Sequence, residues 1–160
     1  MKKGLLGSFA AAANDIPSHN KVANYLYSAV GNPARLKEDS YNPIDCGKWI
    51  FGIRGEFVDF VWGWIRKWVE GNPNVVYAKV TTARTVEAER MPQFYIEVYT
   101  WNADDLQEIE HVRKEISRIG LKDSCAYQKE EAAIVGRQEY LIEEPGFIPP
   151  HDNRNRSRSA

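Results

Sequence analysis

Two stretches decide the fold: Val75-Val-Tyr-Ala-Lys-Val-Thr-Thr-Ala-Arg84 and Phe94-Tyr-Ile-Glu-Val-Tyr-Thr-Trp101. Both are rich in β-branched and aromatic residues, which fit a pleated surface, and both alternate. Side chains on a strand point to opposite faces in turn. Val76, Ala78 and Val80 go one way and Tyr77, Lys79 and Thr81 the other. Phe94, Ile96 and Val98 oppose Tyr95, Glu97 and Tyr99 in the same manner. Each stretch therefore has a small apolar face and a face of Lys, Thr, Tyr and Glu. The connection, 85–92, is polar and short enough for antiparallel pairing, and it reads as a mobile loop.

Working outward, Gly47 to Arg54 reads as another strand, with Trp49, Phe51 and Ile53 on one face and Lys48, Ile50 and Gly52 on the other. Residues 57–70 carry helical periodicity: Val58, Val61, Trp62, Ile65 and Val69 form one stripe, flanked by Phe57, Phe60, Trp64 and Trp68. That width suggests a helix buried on most sides. Gly71-Asn72-Pro73 ends it. Asn102 stands where a helix cap belongs, and Leu106, Ile109, Val112, Ile116 and Ile119 form a narrow stripe up to Gly120. Residues 126–129 and 133–140 read as further strand. Near the start, Val22, Leu26 and Val30 share helical spacing between Ser18 and Gly31, which predicts a short helix over 18–30. The pattern predicts an α+β domain: one curved, mostly antiparallel sheet with both long helices on one face, and Trp62, Ile65, Val80, Val98, Ile109 and Val112 in one core.

A chain of 160 residues suggests a single domain over 18–148, with a flexible arm at 1–17 and a disordered tail at 149–160. The net charge of −1 excludes nucleic-acid or membrane binding driven by bulk charge alone. No segment approaches the roughly 20 apolar residues that span a bilayer. Cys46 and Cys125 are too few for a disulfide framework, so a reduced, cytoplasmic setting is expected. The start, Met1-Lys-Lys-Gly-Leu-Leu-Gly-Ser-Phe-Ala, resembles a signal peptide in miniature but is short and weakly apolar. The tail alternates Arg and Ser, with three Arg, too few to hold RNA alone.

With helices on one face, the other carries Lys48, Lys79, Thr81, Tyr77, Tyr95, Glu97 and Tyr99. Two lysines among hydroxyls can hold an anion, Lys by charge and Thr and Tyr by directed hydrogen bonds. Arg84 and Arg113 join them if the sheet curves toward the second helix. The candidate ligand-binding set is therefore Lys48, Lys79, Thr81, Arg84, Tyr99 and Arg113. The competing reading pairs both lysines with Glu97 on a solvated face. His19, His111 and His151 are scattered over arm, helix and tail. No glycine-rich phosphate loop, nucleophile elbow or metal-spaced cluster occurs, so no metal or cofactor is expected.

Gly47-Lys48-Trp49, Asp59 and Trp62, Ala78-Lys79-Val80-Thr81-Thr82, Val98-Tyr99-Thr100, Val112-Arg113, Gly120 and Tyr127-Gln128-Lys129 to Gly136 together resemble the Bles family, named for a basophilic leukaemia expressed protein. The resemblance covers roughly 46–140. It implies a fold similar to the cap-binding translation initiation factor and a sheet-face pocket for a phosphorylated ligand, to which Lys48, Lys79 and Arg113 would contribute. It does not imply cap binding, since only Trp101, at a strand end, is placed to stack on a base. Some members are labelled phosphothreonine lyases. Three functions follow as expectations. The first is a binding module for a nucleotide, RNA end or phosphopeptide. The second is a β-eliminating lyase with Lys79 as the base. The third is a scaffold that recruits protein through Trp64 and Trp68. If the 18–30 helix covers those tryptophans, a monomer is expected rather than a dimer.

Overall fold

The computed structural model describes residues 16–121, 124–137 and 139–151. Most of the N-terminal arm and of the Arg-Ser tail lies outside them. Six strands form one sheet: β1 Tyr25–Tyr27, β2 Gly47–Ile53, β3 Ala78–Thr81, β4 Phe94–Thr100, β5 Cys125–Lys129 and β6 Ile142–Glu143. Their order is β1-β3-β4-β2-β5-β6, and every neighbouring pair is antiparallel. The helices are α1 Pro33–Leu36, α2 Gly55–Val69, α3 Ala83–Ala88, α4 Leu106–Ile116 and α5 Glu130–Ile134. The architecture is the α+β one that the pattern predicts.

The main core lies between the sheet and α2 and α4. Val58, Val61, Trp62, Ile65 and Val69 of α2 meet Ile109, Val112 and Ile116 of α4 over Trp49, Phe51, Val80, Ile96 and Val98. Both long helices thus cover one face, as their stripes require. The Trp49 indole donates to the Ile109 carbonyl at 2.9 Å, so the buried ring leaves no N–H unsatisfied. α2 is narrower in burial than its composition suggests. Phe57 and Phe60 are exposed, and Trp64 and Trp68 are half-buried, stacked on each other at 5.9 Å. The Trp68 indole donates to Glu115 of α4 at 2.6 Å.

Four local expectations are corrected. Residues 18–30 are not a helix: a 3-10 turn, Pro17–His19, leads into strand β1. The Asn20 side chain accepts from the N–H groups of Val22 and Ala23, both at 2.9 Å, and so offers the backbone an alternative to helix. Leu26 then pairs with Val80 and reaches the main core. The tryptophans are therefore not covered by a helix from this segment. Residues 85–92 are not a free loop. Thr82 caps α3 through the Thr85 N–H, and the Thr85 hydroxyl donates to Asn24 at 2.6 Å. The described residues of 133–140 hold no strand. Glu130 and Glu131 sit in the first turn of α5, where the helix dipole favours negative charge, and Gly136 stops the chain at φ 74°. Finally, Asp105 rather than Asn102 caps α4, accepting from Glu108 N at 3.1 Å.

The alternation in 75–84 also breaks once. Tyr99 N–H donates to Tyr77, the residue opposite it in register, but the Tyr99 carbonyl accepts from Val76 N–H in place of Tyr77 N–H, so two residues of one strand face one of the other. Val75 consequently takes the place in the main core, while Val76 packs with Cys46, Tyr99 and Trp101 in a second cluster.

Gly31 ends no helix; it is needed because backbone crowds it. A Cβ there would lie 2.3 Å from the Asn72 carbonyl oxygen and 2.4 Å from that of Val75. Gly31→Ala is expected to destabilise by about 1–3 kcal/mol through overpacking. Gly63→Ala on α2, where a Cβ meets nothing within 4 Å, should stabilise by about 0.5–1 kcal/mol. Urea unfolding of both variants checks this, and equal effects would contradict the crowding.

Candidate functional site

Lys48 projects from β2, the strand at the centre of the sheet, buried along its whole length. Lys79 lies directly across from Glu97 in the β3–β4 register. All three leave the face opposite the long helices. Lys48 Nζ is 3.3 Å from one oxygen of Glu97 and Lys79 Nζ is 3.2 Å from the other. Lys48 is also 3.7 Å from Glu130 at the start of α5. The four charges sum to zero. The lysines also bracket aromatic rings: Lys79 lies 4.3 Å from the centroid of Tyr25, and Lys48 and Lys79 lie 5.4 and 5.8 Å from that of Tyr99. Tyr99 stacks on Tyr77 at 4.6 Å.

The structure thus brings Lys48, Lys79, Thr81 and Tyr99 to one face and pairs the lysines with Glu97. Burial alone would lower the Lys79 ammonium, but Glu97 and Tyr25 outweigh it and hold the group above the usual lysine value. A lysine held in its charged form beside a carboxylate is poorly suited to be the general base a lyase needs. Burial and the nearby Glu97 push the Tyr99 hydroxyl up as well, so it stays a neutral hydrogen-bonding group.

Two expected members do not join. Arg113 lies on α4, on the opposite side of the sheet, 5.5 Å from the Trp49 ring and paired with Glu144 and Glu110. The sheet separates it from the lysines. Arg84 lies on α3, where its guanidinium donates to the Val22 carbonyl at 2.8 Å. Thr81 serves the fold, because its hydroxyl accepts from Tyr95 N–H at 2.9 Å where the β3–β4 ladder stops. Trp101 is buried, donates to the Pro73 carbonyl at 3.0 Å, meets Tyr41 edge-on and has Arg35 over its ring. It is not free to stack on a base.

The cavity on this face lies beside the lysines rather than over them. It measures about 290 Å³ and is lined by Tyr25, Ile50, Thr81, Tyr95, Glu97, Gln128, Arg137, Tyr140 and His151, among others. Three tyrosines wall it, and Glu97 and Gln128 supply polar groups from the sheet. The chain after β6 closes one side. Phe147 packs on Ile50, Tyr95 and Ala126, and the Tyr95 hydroxyl donates to the Ile148 carbonyl at 2.6 Å. Gln128 donates to the Arg137 carbonyl at 3.1 Å, tying the loop after α5 to the sheet. His151 reaches Glu89 at 3.8 Å across the mouth. Sequence reasoning missed Gln128, Arg137, Tyr140 and His151. The alternation in 125–129 puts Gln128 beside Lys48 in the β2–β5 register, a signal present in the residues; the loop positions carry none. Among the described residues no group of three or more His, Cys, Asp or Glu is placed to hold a metal ion.

Neither a scan of family models nor a search of curated proteins matches this chain. Solved structures do. The chain is similar to schistosome eIF4E complexed with m7GpppG and 4E-BP, at 12% identity and a TM-score of 0.56, over 88% of this chain and 79% of that one. The schistosome complex with m7GpppA and 4E-BP gives 12% identity and 0.54 over the same shares. Ascaris suum eIF4E-3 with an m2,2,7G cap gives 11% and 0.52, over 86% and 79%. At these identities the likeness is one of fold: the protein has the cap-binding initiation factor-like fold. No helix among the described residues is long and apolar enough to cross a membrane.

Removing the charge of Glu97 leaves two poorly hydrated ammoniums with one carboxylate between them. Glu97→Gln should cost about 3 kcal/mol in urea unfolding at neutral pH. The raised Lys79 value fixes the alkaline behaviour. Its share of stability is present below about pH 10.4 and fades as pH climbs through the higher folded value. Wild-type melting temperature should therefore drop in that range, and less steeply in Glu97→Gln; parallel curves would contradict the pairing.

Proposed function

We propose that this protein is a ligand-binding module, of the kind the Bles resemblance implies, and that its site is the cavity beside Glu97. The ligand is a nucleotide, free or at an RNA end. One observation carries this: a cavity of about 290 Å³ with tyrosine walls, sheet-borne acceptors and, at its rim, Arg137 and His151. Tyrosine faces take a base by stacking, worth roughly 1–3 kcal/mol per base in single-strand binders. A guanidinium at the rim suits a phosphate by paired hydrogen bonds. The eIF4E structures of like fold hold cap compounds, which supports a nucleotide-sized ligand. The phosphate belongs at the rim in this reading. At Lys48 and Lys79 an anion would have to displace Glu97 and strand its charge.

A second reading, a protein docked on the helices, has one observation in its favour: Phe57 and Phe60 stay exposed on α2. The two schistosome eIF4E structures are complexes with 4E-BP. Aromatic residues left in water are common interface anchors. The lyase reading has nothing comparable, because Lys79 is a charged partner of Glu97.

Isothermal calorimetry with mononucleotides and a 5′-phosphorylated oligoribonucleotide separates the two. Saturable binding is expected, lost in Ala133→Trp, which fills the cavity from a residue of its lining, and unchanged in Phe60→Asp. Arg137→Glu should weaken nucleotides at least tenfold through the lost charge-assisted bonds. No heat with any nucleotide removes the cavity reading and leaves the docking surface.

A further inference from the structure

Glu97 lines the cavity, whereas Lys48 and Lys79 do not. Its two oxygens are each held by one of those lysines, at 3.3 and 3.2 Å. All three side chains are at most 18% exposed. A carboxylate clamped in this way cannot turn aside to admit an anion; the Tyr99 hydroxyl also donates, at 3.5 Å, to the oxygen that Lys79 holds, and the oxygen beside Lys48 keeps a second lone pair for a further donor. Its other surroundings agree. Tyr25 and Tyr95 flank it on the cavity side, and Gln128, a side-chain amide that both donates and accepts, lies on the same wall. Glu130 behind Lys48 balances the second positive charge.

Resting on the cavity reading above, we propose that Lys48 and Lys79 are positioning residues that fix Glu97 as an acceptor. The end of the ligand that enters deepest is then an uncharged ring edge bearing N–H donors, with no phosphate there. The pocket therefore selects by base and meets charge only at its mouth. The lysines act through Glu97 and touch no ligand atom.

The distinction is measurable, because a nucleoside keeps the base and lacks the phosphate. Calorimetry is run well below the melting temperature with guanosine, adenosine, the corresponding monophosphates and inorganic phosphate. Some nucleoside should bind, more weakly than its monophosphate, and inorganic phosphate alone should neither bind nor compete. Lys79→Met should weaken a nucleoside and its monophosphate by the same factor, roughly three- to tenfold for a disturbed charge-assisted bond, with Lys79→Arg restoring most of it. The salt dependence of monophosphate binding should keep its slope in Lys79→Met. A merely structural lysine would lower the melting temperature and leave the affinity of the folded protein unchanged, which overturns the proposal. So does inorganic phosphate binding that Lys79→Met abolishes, or a monophosphate salt slope that falls by about one in that variant, since either puts phosphate on the lysine. Failure of every nucleoside and nucleotide to bind wild type is a different result and removes the cavity reading itself. Glu97→Gln, verified as folded by circular dichroism, should lose at least tenfold for the base-bearing ligands. If it binds them as wild type does, Glu97 is not the acceptor.

Discussion

The constraint on which the rest depends is a lysine near the start of a strand buried on both faces. β2 runs through the centre of the sheet, flanked by β4 and β5, and every residue from Gly47 to Ile53 is buried. An ammonium there is costly unless it is paired. Glu97 on the neighbouring strand pairs it, and the β3–β4 register then brings Lys79 to the same carboxylate. Burial of β2 in turn needs covers on both sides. The long helices supply one, and the chain from Tyr140 to His151, anchored by Phe147, supplies part of the other. The cavity is the space that this second cover leaves beside Glu97.

The same arrangement limits chemistry. Lysines held by carboxylates keep their partners, so they serve poorly as free phosphate receptors. What they provide is a fixed electrostatic floor. The groups the cavity beside it offers are its tyrosine walls and the rim arginine. The helix side offers a different resource, the exposed Phe57 and Phe60, separated from the cavity by the whole sheet.

Much of this is legible in the residues, and the reasons for the rest are physical. Alternation in β2 and β4 and the 3.6-residue stripes of α2 and α4 report the faces correctly, because long elements average over local chemistry. That Glu97 shares a face with the lysines is legible for the same reason, since it follows from period two; that it pairs with both depends on the strand register. Short segments fail. Asn20 and Thr82 redirect the backbone through single side-chain hydrogen bonds that periodicity does not see. Val76 changes clusters because one ladder irregularity shifts the alternation by a residue. Arg113 falls outside the expected set because a helix residue does not reach past the sheet on which its helix packs. The cavity rim at Arg137 and His151 depends on how loops return, and no local pattern encodes that.

The central claim is that Lys48, Glu97 and Lys79 form a closed ion-pair unit rather than an open anion site. The most direct measurement is nitrogen-detected NMR of the lysine side-chain ammonium groups, assigned through Lys48→Arg and Lys79→Arg. The account expects two slowly exchanging ammonium signals, set apart from the surface lysines and unmoved by added inorganic phosphate. Ammonium groups that exchange as fast as surface lysines, or that shift saturably with phosphate, would contradict it.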